Sequence, residues 1–288
     1  MTHRARLSAC VIAIAAAALP GAAAAQSYVA QPQSYLLTTD VIDARALWVQ
    51  PAGLVKRRES SVAIMASADR LDGPMVFSQY GVTLHSGGVA FGWQHDLAGK
   101  FDTIPGHFDA SAWLIGMGFG GPRASIGGAF RMHRGDMTHT NAGDVGGRIL
   151  AARRIELGIV WRDIGSPIVL GDTIRSTLVP GAAIQLFKAH VQIGADWELV
   201  TAGWGTSAFR TGATIALPKG IAVGARWEMD GNFDTRSFSV ALTWNGSSAR
   251  VVGFDAMGHG GSSDRLGLWG AATQNPDQGR RRGPRFGG

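Results

Sequence analysis

The chain has 288 residues, 45% of them hydrophobic and 17% charged, with 41 glycines, a single cysteine and a formal net charge of +6. That length allows one or two domains, and the scattered glycines follow no collagen-like period. Six of the 27 Lys and Arg sit at the ends (Arg4, Arg6, Arg280, Arg281, Arg282 and Arg285), and the rest equal the 21 acidic residues in number, so nucleic acid is not an expected partner.

Residues 1–25 read as a secretory signal: Arg4 and Arg6, then an apolar run from Val11 to Leu19, then Ala23-Ala24-Ala25 before Gln26. Leu7-Ser8-Ala9-Cys10 looks like a lipobox but precedes the apolar run, so lipidation is not expected. Cys10 would leave with the signal, and the exported chain would carry no disulfide. No later stretch reaches about 18 consecutive apolar residues, so no helical span is expected. A bilayer admits only helices and closed barrels, because backbone polar groups must be satisfied within the protein. A membrane protein without helical spans is therefore a barrel.

From residue 61 onward, apolar residues alternate with small or polar ones, the period of a strand. Ile155, Leu157, Ile159 and Trp161 oppose Glu156, Gly158, Val160 and Arg162. Val191, Ile193, Ala195 and Trp197 likewise oppose Gln192, Gly194, Asp196 and Glu198. Strands are expected at 61–68, 75–84, 88–96, 109–119, 123–133, 144–151 and 154–161, then at 175–186, 190–198, 206–217, 221–228, 235–244, 249–254 and 264–272. The expectation is therefore an all-β chain, a transmembrane antiparallel up-and-down β-barrel of about 14 strands, with about 12 as the lower count.

Connections alternate in length. Short ones, such as Ala152-Arg153 and the type I′ signal Asn245-Gly246, separate longer ones at 70–74, 98–108, 135–143, 164–174, 200–205, 229–234 and 255–263. Short turns on one rim and longer, outward-facing loops on the other are what an outer-membrane barrel requires. Trp93, Trp161, Trp197 and Trp227 stand just before long loops, and Trp113 just after one. Trp244 precedes a short turn on the opposite rim. These six form the expected aromatic girdle, since an indole is apolar with one N–H left for water. The lipid bilayer is the expected partner, and the outer membrane of a Gram-negative-type bacterium the expected location.

Ahead of the first strand, Asp43-Ala44-Arg45-Ala46-Leu47-Trp48-Val49-Gln50-Pro51-Ala52-Gly53-Leu54 resembles the N-terminal signature of FadL-type outer-membrane transporters and their PorV-like relatives. In that signature an acidic and small stretch leads through an aromatic to Asn-Pro-Ala-Gly-Leu. Here Gln50 replaces the Asn, and Pro51, Ala52, Gly53 and Leu54 match. The resemblance implies a fourteen-stranded barrel closed by an N-terminal plug, through which hydrophobic compounds pass. Residues 26–59 would then be the plug, 60–272 the barrel and 273–288 a solvated basic tail. The implied function is passive transport of small or hydrophobic molecules. The alternative is a structural or assembly barrel that holds a partner protein.

Charges cannot face lipid cheaply: Arg at the midplane costs roughly 2–4 kcal/mol. Arg131, Arg148, Arg162, Arg210 and Arg226 are therefore expected to line the lumen with Glu156, Glu198 and Glu228, as are Arg123 and Asp196. They should neutralise one another around a plug rather than form an ion path. Alternating Gly and Ala on the inward faces would leave it room. No enzyme is expected. Gly116-Met117-Gly118-Phe119-Gly120-Gly121 has dinucleotide-fingerprint spacing, but Pro122 and a strand follow where a helix N-terminus would be needed. Neither a metal-binding His spacing nor a GxSxG elbow occurs, and no cofactor is expected.

Overall fold

The computed structural model describes residues 36–39, 41, 43–55, 60–71, 75–98, 108–135, 138–169, 172–187, 190–245, 250–259 and 263–274. The expected signal at 1–25 and the four tail arginines lie outside them. The wall begins with β1 (Ser60–Leu71), β2 (Met75–Ser86), β3 (Val89–Ala98), β4 (Phe108–Gly120), β5 (Ala124–Gly135), β6 (Thr138–Ala152) and β7 (Ile155–Ile164). A small hairpin of β8 (Ile168–Val169) and β9 (Asp172–Thr173) follows. The wall resumes with β10 (Thr177–Leu186), β11 (Val191–Val200), β12 (Thr206–Ala216), β13 (Ile221–Met229), β14 (Thr235–Asn245), β15 (Arg250–His259) and β16 (Ser263–Gln274).

Fourteen of these strands make one closed antiparallel barrel in which chain neighbours pair, β7 meets β10 across the hairpin, and β1 meets β16. That seam runs from Ser60 opposite Gln274 to Leu71 opposite Ser263. Closure leaves no unpaired edge, which is what crossing lipid demands.

The alternation read from the sequence sets the two faces. Along β7, Ile155, Leu157, Ile159 and Trp161 are exposed, whereas Glu156, Gly158 and Val160 are buried. Ile64, Phe119 and Ile126 are 63%, 59% and 65% exposed, part of an apolar belt that continues over β2 to β14. A belt of that extent is too large for a water-facing surface and fits lipid. The buried apolar cluster lies instead inside the ring, centred on Leu47, Trp48 and Leu54 of the segment ahead of β1. That segment has one turn of helix, α1 (Ala46–Val49), and a 3-10 turn (Pro51–Val55). Pro51 ends α1 because it lacks an N–H and fixes φ.

Three expectations need correction. Residues 255–263 are largely strand, since β15 runs to His259 and β16 begins at Ser263, with Asp255 opposite Gly267 and Gly258 opposite Asp264. Residues 135–143 are not a long loop: β5 and β6 stay paired to Gly135 and Thr138, with His133 opposite Thr140. Polar Thr and Asn side chains suggest a loop, but the ladder is built from backbone groups and continues past the apolar belt. Arg123 is not inward-facing; it sits exposed in the turn between β4 and β5, where its carbonyl accepts from the Leu150 amide. The hairpin β8–β9, inside the span expected to be a long loop, had no sequence signal beyond Ile168-Val169.

The tryptophans sit near the rims. Trp113, Trp161, Trp227 and Trp244 are exposed, and Trp93 and Trp197 half-buried. Trp93 and Trp113 are register partners with ring centres 5.9 Å apart. Three indole N–H groups on the long-loop rim find protein acceptors rather than water alone: Trp161 donates to Ser176 Oγ at 2.6 Å, Trp197 to Thr206 Oγ1 at 3.0 Å and Trp227 to Thr235 Oγ1 at 3.0 Å. Trp204, 62% exposed in the turn between β11 and β12, joins this rim, and loop composition hid it. Trp161→Ala is expected to weaken membrane-embedded folding by about 2 kcal/mol, the scale of one large apolar burial. Ser239→Ala, on an inward face, should change it little. Equal losses in urea titrations of the protein refolded into liposomes would contradict this division of faces.

Candidate functional site

The lumen is narrowed by residues 36–55, whose partners lie on strands around much of the ring. Trp48 Nε1 donates to Thr83 Oγ1 on β2 at 2.7 Å. Ser125 Oγ on β5 donates to the Ala52 carbonyl at 2.7 Å, and His85 Nε2 lies 2.7 Å from the Leu54 carbonyl. Arg148 on β6 donates to the Val41 carbonyl at 2.8 Å and the Thr39 carbonyl at 3.2 Å. Arg162 on β7 donates to the Val49 carbonyl at 2.9 Å. Asp196 on β11 accepts from the Thr38 amide at 2.8 Å and its hydroxyl at 2.7 Å.

Inward glycines provide the space. A Cβ at Gly92 or Gly116 would strike Leu47, one at Gly194 would strike Leu37, and one at Gly127 would strike the Pro51 and Ala52 backbone. Gly88 has two reasons to be glycine: its φ is +92°, and a Cβ there would collide with Val55. Gln50, where the resembling signature has Asn, is fully buried. Its Nε2 donates to the Ile159 carbonyl at 2.9 Å and the Gly147 carbonyl at 3.2 Å, and its amide fills the place a side chain at Gly146 would take.

Five of the ten charges expected to face inward fall into two ion-paired groups. Arg148 pairs with Glu156 while holding the two carbonyls of the interior segment. Arg210 bridges Glu228 and Glu198, both at 2.8 Å. Arg162 reaches Val49, and Arg226 is buried on β13. Arg131 forms a third group with two partners missed in the sequence, Asp144 at 2.8 Å and Asp163 at 3.1 Å. Asp144 also accepts from the Asp163 amide at 2.9 Å. Asp144 shares the inward parity of Arg148 on β6, whereas Asp163 has the parity of lipid-facing Trp161 and turns inward at a backbone φ of +52°, which no alternation signals. Asp96, with Gln79 and Gln94 hydrogen-bonded to it, is another buried Asp.

Just before α1, Arg45 forks onto Asp43, the closest contact being 2.6 Å. Burial would raise the Asp43 carboxyl, but the Arg45 charge and its hydrogen bonds outweigh this and hold it below the usual carboxylate range. Several buried polar atoms, including Gln50 Oε1, Arg131 Nε, Arg162 Nε and His133 Nε2, have no protein partner. Such groups inside a lumen are ones that water can satisfy. The arrangement is thus a polar wall with extensively paired charges around an apolar insert. Among the described residues no three His, Cys, Asp or Glu side chains gather as they would to hold a metal ion.

No family model matches the chain, and no curated protein sequence does. Solved structures resemble it in fold. The CymD monoaromatic hydrocarbon channel superposes with a TM-score of 0.58 at 10% identity, covering 81% of this chain and 93% of that one. The toluene transporter TbuX of Ralstonia pickettii gives 0.52 at 8% identity, covering 81% and 94%.

Proposed function

We propose that this protein is an outer-membrane channel of the FadL type that passes small hydrophobic molecules without an energy source and catalyses no reaction. Residues 26–59 act as its plug and 1–25 as its export signal. One observation carries the reading: an apolar segment is seated in a fourteen-stranded barrel and held by side chains of the lumen wall. The Pro51–Leu54 motif supports the family, and the names of the two similar structures, a hydrocarbon channel and a toluene transporter, support the cargo class.

The polysaccharide-coated leaflet is the barrier such a cargo must cross, so the test belongs in whole cells. Cells making the protein should accumulate labelled toluene several-fold faster than cells without it, while uptake of a disaccharide stays unchanged. Equal toluene uptake rejects the hydrophobic cargo; faster disaccharide uptake alone makes the barrel a general porin. The extent to which wall charges and the interior segment occupy one another favours a second reading, a barrel that holds a partner protein. A lumen closed in every state, with a protein that co-purifies from native membranes, would select it.

A further inference from the structure

The outer wall carries a groove of about 780 Å³ whose lining is almost wholly apolar. One row of register partners crosses it on the lipid side: Phe119, Ile126, Gly147, Ile159 and Pro180, on β4, β5, β6, β7 and β10. Gly147 lacks a side chain in the middle of that row, so the wall is recessed between Ile126 and Ile159. The next row toward the short turns, Ala124, Ile149 and Leu157, continues the groove.

The groove points at a concentration of positive charge. Arg123 lies in the turn between β4 and β5, and Arg153 and Arg154 form the turn between β6 and β7; all three are exposed. The Leu150 amide donates to the Arg123 carbonyl, which ties the first turn to β6 at the level of Leu150. Two strand spacings, about 10 Å, separate the two turns, within the combined reach of arginine side chains. Neither turn contains an acid, and the nearest, Glu156, is turned inward onto Arg148. The other short connections, at 87–88, 187–190, 217–220 and 246–249, also contain no Asp or Glu. The opposite rim carries Asp109, Asp230 and Asp234.

We propose that this face binds a phospholipid with an anionic headgroup, its acyl chain in the groove over Gly147 and its phosphate against Arg123, Arg153 and Arg154. The occupant follows from place and charge. The belt lies in hydrocarbon, so an apolar recess in it is filled by lipid. At the rim, arginine forks match phosphate oxygens. About four residues separate Ile149 from Arg153, roughly 13 Å of strand, which suits a lipid lying along the wall.

Native mass spectrometry of the full-length protein with phosphatidylglycerol and phosphatidylethanolamine of matched acyl chains tests the site. Phosphatidylglycerol should be retained preferentially. Each Arg→Gln change at 123, 153 and 154 should lower its affinity roughly fivefold, and the triple variant on the order of a hundredfold. A Cβ at Gly147 meets nothing nearer than Ile159 Cγ2 at 3.8 Å, so Gly147→Phe should be accommodated and fill the recess. It should reduce retention of both lipids while leaving the headgroup preference intact. Gly147→Leu gives the same reading if the Phe variant does not fold, and gel mobility before and after heating shows that each barrel is intact. Equal retention of the two lipids by the unmodified protein overturns the proposal. So does phosphatidylglycerol binding that survives filling of the groove, or crosslinking through Ile126 that shows a second copy of the chain on this face.

Discussion

Removing residues 36–55 is expected to turn a nearly silent barrel into one with large, steady conductance in a planar bilayer. The segment supplies the apolar centre of the lumen: Leu37, Val41, Leu47 and Leu54 are at most 2% exposed, as is Trp48. It contributes no strand to the wall, whose ladder closes independently through β1 and β16. The truncated protein should therefore still show heat-modifiable gel mobility. Its inward glycines would then face an empty channel, and the carbonyl-bound arginines would turn to water. Conductance equal to that of the full chain, from a barrel shown to be folded, would mean that the segment does not limit passage.

The second large effect is expected from Arg148→Met. The change keeps most of the side chain's apolar stem but removes donors to the Val41 and Thr39 carbonyls and the partner of Glu156. Removing one member of a buried ion pair costs about 3–5 kcal/mol, chiefly because the other charge is left without compensation. The interior segment is the part of the site free to move, so the loss should appear as frequent full openings rather than as an unfolded wall. Adding Glu156→Gln should recover part of the closed time by removing the abandoned charge. Openings unchanged in the single variant would show that Arg148 does not hold the segment.

The fold was legible because lipid imposes a strict period on strands such as β7 and β11, where every second residue must be apolar. Where that constraint ends, so did the reading: β5 and β6 run on through Gly, Thr and Asn, and Arg123 at a turn could not be assigned a face by parity. The inward position of Arg131, Arg148 and Arg210 followed from the cost of charge in hydrocarbon. Their partners did not, because Arg148 meets Val41 and Thr39 across more than a hundred residues of sequence. Gln50 shows the same limit. As a departure from a motif it carried no meaning, whereas in three dimensions its length suits the gap at Gly146 and reaches two carbonyls of the wall.

The seam between β1 and β16 also bears on assembly. The first and last strands are each other's neighbours, so the ring cannot be completed until the C-terminal strand arrives. By then β6, β7 and β11, which carry Arg148, Arg162 and Asp196, have all been delivered, and the N-terminal residues they grip were delivered before any of them. The interior segment need not thread a finished pore. It can serve as a mandrel, gathering the middle strands at a set curvature, with the first and last strands closing over it like a clasp.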